Sequence, residues 1–200
     1  MTFFLWARAE ILRCLWRLGA YRPPDRHILE GEILTTFARD PAVARVLFVG
    51  VEWYTKRYPA FFAGKTFATI DPDQAVARFG GDPHVVGPVQ DLARHFTGTM
   101  FDAIVMTGVI GYGLNDLVEV DRALAACAAA LRPAGWLVLG VNELRPTHVD
   151  PAASPASRAF EPRPFGPRAV PRLDLALPFK ERTHTFLFWQ KRAASALIDA

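Results

Sequence analysis

Two hundred residues, 51% of them apolar, with a net charge of only +3, make one folded domain with room for an appendage and exclude a disordered chain. The charge is uneven: residues 1–30 carry 5 basic against 3 acidic side chains, 31–140 carry 9 against 11, and 141–200 carry 9 against 6. No compact basic cluster and no aromatic-and-basic stripe accompanies it, which argues against a nucleic-acid partner.

In chain order, the apolar side chains from Phe3 to Leu18 crowd one helical face, with Glu10, Arg13 and Arg17 opposite. Trp6 and Trp16 on that face call for cover. A helix packed on the domain or on a second copy supplies it, and a peripheral helix at a membrane surface is the alternative. Gly19 and Pro23-Pro24 end this element, and residues 27–39 read as a second helix. Residues 1–40 are thus an N-terminal helical extension, and 41–200 are the main domain.

Val46–Val51 is a buried strand that breaks at Gly50. Residues 52–64 hold five aromatics with Lys56 and Arg57, and read as a loop and short helix. Thr66–Ile70 is the second strand, stopped by Asp71-Pro72. Residues 73–79 suit a short helix, His84–Val86 a third strand, and Phe101–Met106 a fourth. Asp116 with Glu119 has the capping-box spacing, and Leu117, Val120, Leu124, Cys127 and Leu131 follow steps of three and four into a helix. Cys127 falls at a core position and reads as a small hydrophobe. Trp136–Gly140 is the fifth strand.

The insert at about 141–180 is different. Residues 141–182 hold eight of the sixteen prolines, a composition poor for regular elements, with Leu173–Leu177 as one short strand. His184–Gln190 closes the sheet.

Short apolar strands joined by crossovers imply a parallel sheet, which binds ligands at the carboxyl ends of its strands. If the first two strands are adjacent, Gly50 and Asp71 share that edge. There Gly50 allows close approach and Asp71 can accept hydrogen bonds from the ribose hydroxyls of a nucleoside.

Several phrases carry a resemblance: V-L-F-V-G, A-T-I-D-P, H-V-V-G-P-V-Q-D-L, F-D-A-I-V-M-T-G-V-I, and above all L-R-P-A-G-W-L-V-L-G. Over roughly 43–140 they are similar to class I S-adenosylmethionine-dependent methyltransferases of the small type 11 kind. The resemblance implies an α/β fold: a doubly wound, mostly parallel seven-stranded sheet whose last strand is antiparallel. It implies S-adenosylmethionine as cofactor and methyl transfer to a small-molecule acceptor. By position, Gly50 matches the first glycine of the cofactor loop, Asp71 the ribose-binding acid and Val89 the residue at the adenine. Thr107 and Gly108 lie where methionine and acceptor meet.

The chain departs from the family at Phe48, where an acid is usual, at Glu52 and Tyr54, where glycines are, and at Pro88. Glu52 is placed to stand in for the first-strand acid. Those departures also fit a non-catalytic scaffold or partner-binding module, and they disfavour a dinucleotide oxidoreductase. For a general base the weak candidates are His148, in an insert that could come over the site, and His95; His84 and His184 open strands and read as structural. Asp91 suits a helix cap as well as a ligand. No His, Cys and acid set has metal-ligand spacing. Cys14 and Cys127 are too few to frame a secreted fold, no apolar run reaches a membrane span, and the start lacks a signal peptide's order, so a cytoplasmic setting is expected.

Overall fold

The computed structural model describes residues 11–12, 14–16, 18–143, 148–177 and 182–193. Eight strands run in chain order: β1 (Arg45–Val49), β2 (Thr66–Asp71), β3 (His84–Val86), β4 (Phe101–Thr107), β5 (Leu131–Asn142), β6 (Phe160–Pro162), β7 (Arg172–Leu177) and β8 (Arg182–Lys191). They form one sheet in the order β3-β2-β1-β4-β5-β8, with β6 and β7 both beyond β8. The first five are parallel to their neighbours, and β8 is antiparallel to β5. The expected seven-stranded sheet is therefore eight strands in seven positions. The last position is shared end to end, β6 pairing with 189–191 and β7 with 182–187 of β8.

The strands of the sheet centre are buried on both faces, as crossover topology demands. Along β1, Leu47 and Val49 enter one apolar layer with Ile70, Leu124 and Cys127, while Val46 and Phe48 enter the other with Ile33 and Phe37. The first layer is covered by the short helix α2 (Leu92–His95) and the longer α3 (Leu117–Ala130), the second by a helix α1 spanning 24–39. Helix α1 is α-helical over Pro24–Ile28, widens to π geometry over Leu29–Leu34 and tightens again over Thr35–Arg39. It starts three residues earlier than expected because Pro24 occupies a first-turn position, where its missing N–H costs nothing.

At α3 the Asp116 carboxylate accepts from Glu119 N at 2.8 Å, as the spacing implied, and Glu119 Oε2 reaches back to Asn115 N at 2.8 Å. The buried stripe is Val120, Ala123, Leu124, Cys127 and Ala130; Leu117, expected in it, is 41% exposed because it stands at the first turn beyond the core. Burial pushes the Cys127 thiol up to about 12, so it is inert as a nucleophile. Strand β5 is longer than Trp136–Gly140 at both ends, since β4 and β8 flank it with pairing partners.

The insert is more regular than its composition implied. Two 3-10 turns, Pro151–Ala153 and Pro155–Ala159, run along α3, tied by Ser154 Oγ donating to Asp121 Oδ1 at 2.6 Å and Ala156 N to the same oxygen at 2.8 Å. The chain then forms β6, crosses the sheet edge and buries Phe165 against Phe37, Trp136 and Phe188. Arg168 clamps Glu32 of α1 through two hydrogen bonds of 2.7 and 2.8 Å. Residues 150–171 thus wrap the β8 edge from one helical layer to the other; the expectation that the insert comes over the site is not met by them.

Candidate functional site

Strand β1 ends at Val49, and Gly50 turns the chain with φ +88°. Its N–H donates to Ile70 O at 3.1 Å, and a Cβ at this position would stand 2.8 Å from Val109 Cγ2 and 3.3 Å from Thr107 O. Only glycine meets both demands. At the neighbouring tip, Asp71 Oδ2 accepts from Val51 N at 2.7 Å and Oδ1 from Asp73 N at 2.8 Å. The structure therefore brings Gly50 and Asp71 together on the carboxyl edge through a bond that sequence reasoning did not foresee. Each carboxylate oxygen carries one N–H, which leaves acceptor capacity on a half-buried group. Opposite, Gly108 follows β4 with φ +71° and has open space where a Cβ would stand.

The loop after Gly50 differs from a glycine-rich one. Glu52 is extended and caps a 3-10 helix, Trp53–Phe62: its carboxylate accepts from Trp53 N at 3.2 Å, and its own N–H donates to Thr55 Oγ1 at 3.2 Å. The Glu52 carboxylate thus caps this helix through one of its oxygens. Phe48, at the position of that acid, is 1% exposed and meets the Tyr58 ring edge-on at 5.2 Å, so this face of β1 has no room for a charge. The rings of Trp53 and Tyr54 are held by the N-terminal segment. Trp16 lies 4.9 Å from Trp53 and stacks on Tyr54 at 4.8 Å. Buried Arg26 covers Tyr54 at 4.3 Å and donates to its hydroxyl at 3.2 Å. Burial, against the pull of Arg26, raises the Tyr54 phenol above its ordinary range. Phe3–Glu10, with Trp6, lie outside the described residues.

A second polar group occupies the other half of the edge, where β4 and β5 end and β8 begins. His184 is 3% exposed; its Nδ1 lies 3.1 Å from Asn142 Oδ1, and Asn142 Nδ2 donates to the Tyr112 hydroxyl at 3.3 Å. Thr107 is buried beside it. Burial pushes the His184 imidazole down to about 4, Asp25 raising and Arg26 lowering it, so it is neutral at pH 7. Of this group only Thr107 was named from the sequence: the members are far apart in the chain, and His184 read as a strand opener.

Solved structures with the same architecture are numerous. N-methyltransferase NodS from Bradyrhizobium japonicum WM9 superposes with a TM-score of 0.61 at 15% identity, covering 80% of this chain and 92% of that one. Its complex with S-adenosylhomocysteine gives 0.57 at 17%, covering 90% and 97%. A TehB-like S-adenosylmethionine-dependent methyltransferase from Corynebacterium glutamicum gives 0.57 at 18%, covering 94% and 98%. The chain has the class I methyltransferase fold. No protein-family model matches it, and no curated protein matches its sequence.

In this methyltransferase fold the remaining sequence candidates scatter. Val89 is buried at the start of a 3-10 turn, Val89–Asp91, which follows Pro88, and Asp91 pairs with Arg94 at 3.3 Å on the surface. His95 is exposed and borders Gly87 after β3, its Nε2 2.8 Å from where a Gly87 Cβ would stand. His148 is half-buried at the start of the insert. Neither histidine joins the Thr107–His184 group. Among the described residues no helix is long and apolar enough to cross a membrane, and no group of three or more His, Cys, Asp or Glu could hold a metal ion.

Proposed function

We infer that the protein binds S-adenosylmethionine across the β1 and β2 tips and directs methyl transfer to a small-molecule acceptor. The observation that carries this reading is the juxtaposition of Gly50 with an Asp71 carboxylate that keeps free acceptor capacity, in a class I methyltransferase fold. The residues present fit the ribose end of such a cofactor. Asp71 takes the ribose hydroxyls, while the bare backbone at Gly108 gives room for close approach. When bound, the cofactor supplies an electrophilic methyl group on a sulfonium. The chain's part is to align the acceptor and keep water out, which demands no covalent residue.

A second reading, a scaffold that has lost the cofactor, has its own support: Val109 leans on Gly50, and the Glu52 carboxylate closes the loop on Trp53 N. Calorimetry separates the two. Micromolar binding of S-adenosylmethionine or S-adenosylhomocysteine, lost in Asp71→Ala, is the expected result; heat-free injections at millimolar ligand would leave the scaffold.

A further inference from the structure

The sheet face that carries Leu47 and Ile70 is roofed unevenly. Strand β2 has six residues and runs about 20 Å. The helical cover on the return from β3 to β4 is the turn Val89–Asp91 and the four residues of α2, which add about 6 Å. Beyond α2 the chain turns at Gly98, φ +68°, and enters β4. Under this short roof, at the amino ends of β1, β2 and β4, an open cavity of about 270 Å³ remains.

Register sets its walls. Arg45 pairs with Thr66 and Leu47 with Ala68, so the period of two puts Arg45, Thr66 and Ala68 on the Leu47 face. Ala68 ends at its Cβ and leaves the floor open. Phe96 and Phe101, edge to face at 5.1 Å, supply an aromatic wall, and Thr99 adds a hydroxyl to that of Thr66. A cavity of about 150 Å³ is enough to hold benzene, so a single ring with a short polar arm fits here.

The charges select the arm. Arg45 is the one ionisable residue lining the cavity; it is exposed and forms no ion pair among the described residues. Neighbouring charges are already engaged. Asp102 accepts from Ala44 N and Arg45 N at 2.7 and 2.8 Å and from Arg132 Nε, and Lys65 Nζ donates to the carbonyl oxygens of Phe37 and Asp40. The planar guanidinium fork matches a carboxylate better than any neutral group.

We propose that the amino edge of the sheet binds a small aromatic carboxylate, its carboxylate on the Arg45 guanidinium and its ring against Phe96, Phe101 and Ala68. The site lies at the opposite end of β1 and β2 from Gly50 and Asp71. It therefore stands apart from the methyl-transfer reading, and both places can be filled at once.

The test uses the 15N-labelled full chain with benzoate as probe. The Thr66, Ala68, Gly98 and Thr99 amides are expected to move and saturate, with Gly50 and Asp71 unmoved. Benzamide has the same shape without the charge and should bind about tenfold more weakly, and Arg45→Gln should weaken benzoate by a like factor. Ala68→Leu fills the floor and should abolish the shifts. Should that variant fail to fold, Arg45→Gln, at an exposed position, still decides. Amides that stay still at millimolar benzoate, or benzamide binding as tightly as benzoate, would overturn the proposal. So would inorganic phosphate moving the same amides as far, which would leave only a surface cation that meets any anion.

Discussion

The two halves of the sheet's carboxyl edge solve the same problem in opposite ways. At the β1–β2 half, every polar group named above has a partner from the chain itself: Asp71 holds Val51 and Asp73, and Glu52 holds Trp53. At the β4–β5–β8 half, Thr107 and His184 are buried with atoms left unpaired. The first half is a surface whose remaining capacity a ligand can share. The second keeps buried polar atoms that the chain leaves without a partner. The fold thus keeps its shape without a glycine-rich loop after β1, because hydrogen bonds from Asp71 and Glu52 tie that loop down.

The largest way to break this contrast is to place at β1 the acid that is usual there in class I methyltransferases. Phe48→Asp would bury a carboxylate against Tyr58 and Phe67, and is expected to cost about 4 kcal/mol or more, seen as loss of a cooperative urea transition. A well-folded variant would mean that this face of β1 is not the packed layer described.

Titration of His184 sharpens the other half. The ring takes a proton near 6.5 when unfolded and near 4 when folded. The unfolded chain therefore binds the proton first as pH falls, and stability present above about pH 7 is lost progressively down to about pH 4, on the order of 3 kcal/mol in all. Urea midpoints against pH should show this slope, and His184→Gln should flatten it. Parallel curves for the two proteins would contradict the buried, neutral state.

Gly50→Ala returns to the first half. A side chain at φ +88° that also meets Val109 is expected to cost about 2 kcal/mol, measured by urea denaturation, and to weaken nucleoside binding. The smallest effect is expected from Glu52→Ala, about 1 kcal/mol for a lost cap, with S-adenosylhomocysteine binding retained in calorimetry. If binding disappears instead, Glu52 holds the ligand and its capping role is secondary.

What the sequence made legible was local or periodic. Buried strands at 46–51, 66–70 and 101–106 announced themselves by composition, and Asp71 at a strand end next to Gly50 followed from parallel topology. The Asp116–Glu119 spacing located α3. The insert was harder, because its prolines sit where proline does no harm: Pro151 and Pro155 open 3-10 turns, and Pro162 ends the edge strand β6. Arg26 fell outside the helix read at 27–39 and was not singled out, since its burial depends on Tyr54, 28 positions away. The His184–Asn142 pair, 42 positions apart, exists only through the antiparallel register of β5 and β8. Long-range pairing of polar residues leaves no periodic trace, so on this half of the edge only Thr107 and Gly108 were legible in the chain, and His184 and Asn142 were not.

The claim on which the rest depends is that a nucleoside lies against Gly50 and Asp71. Amide chemical shifts of 15N-labelled protein titrated with S-adenosylhomocysteine test it most directly. The expected result is saturable movement of the Val51, Asp71 and Gly108 amides, with the amino edge of the sheet near Arg45 and Asp102 unmoved. Shifts confined to other parts of the molecule, or none at all at millimolar ligand, would contradict it.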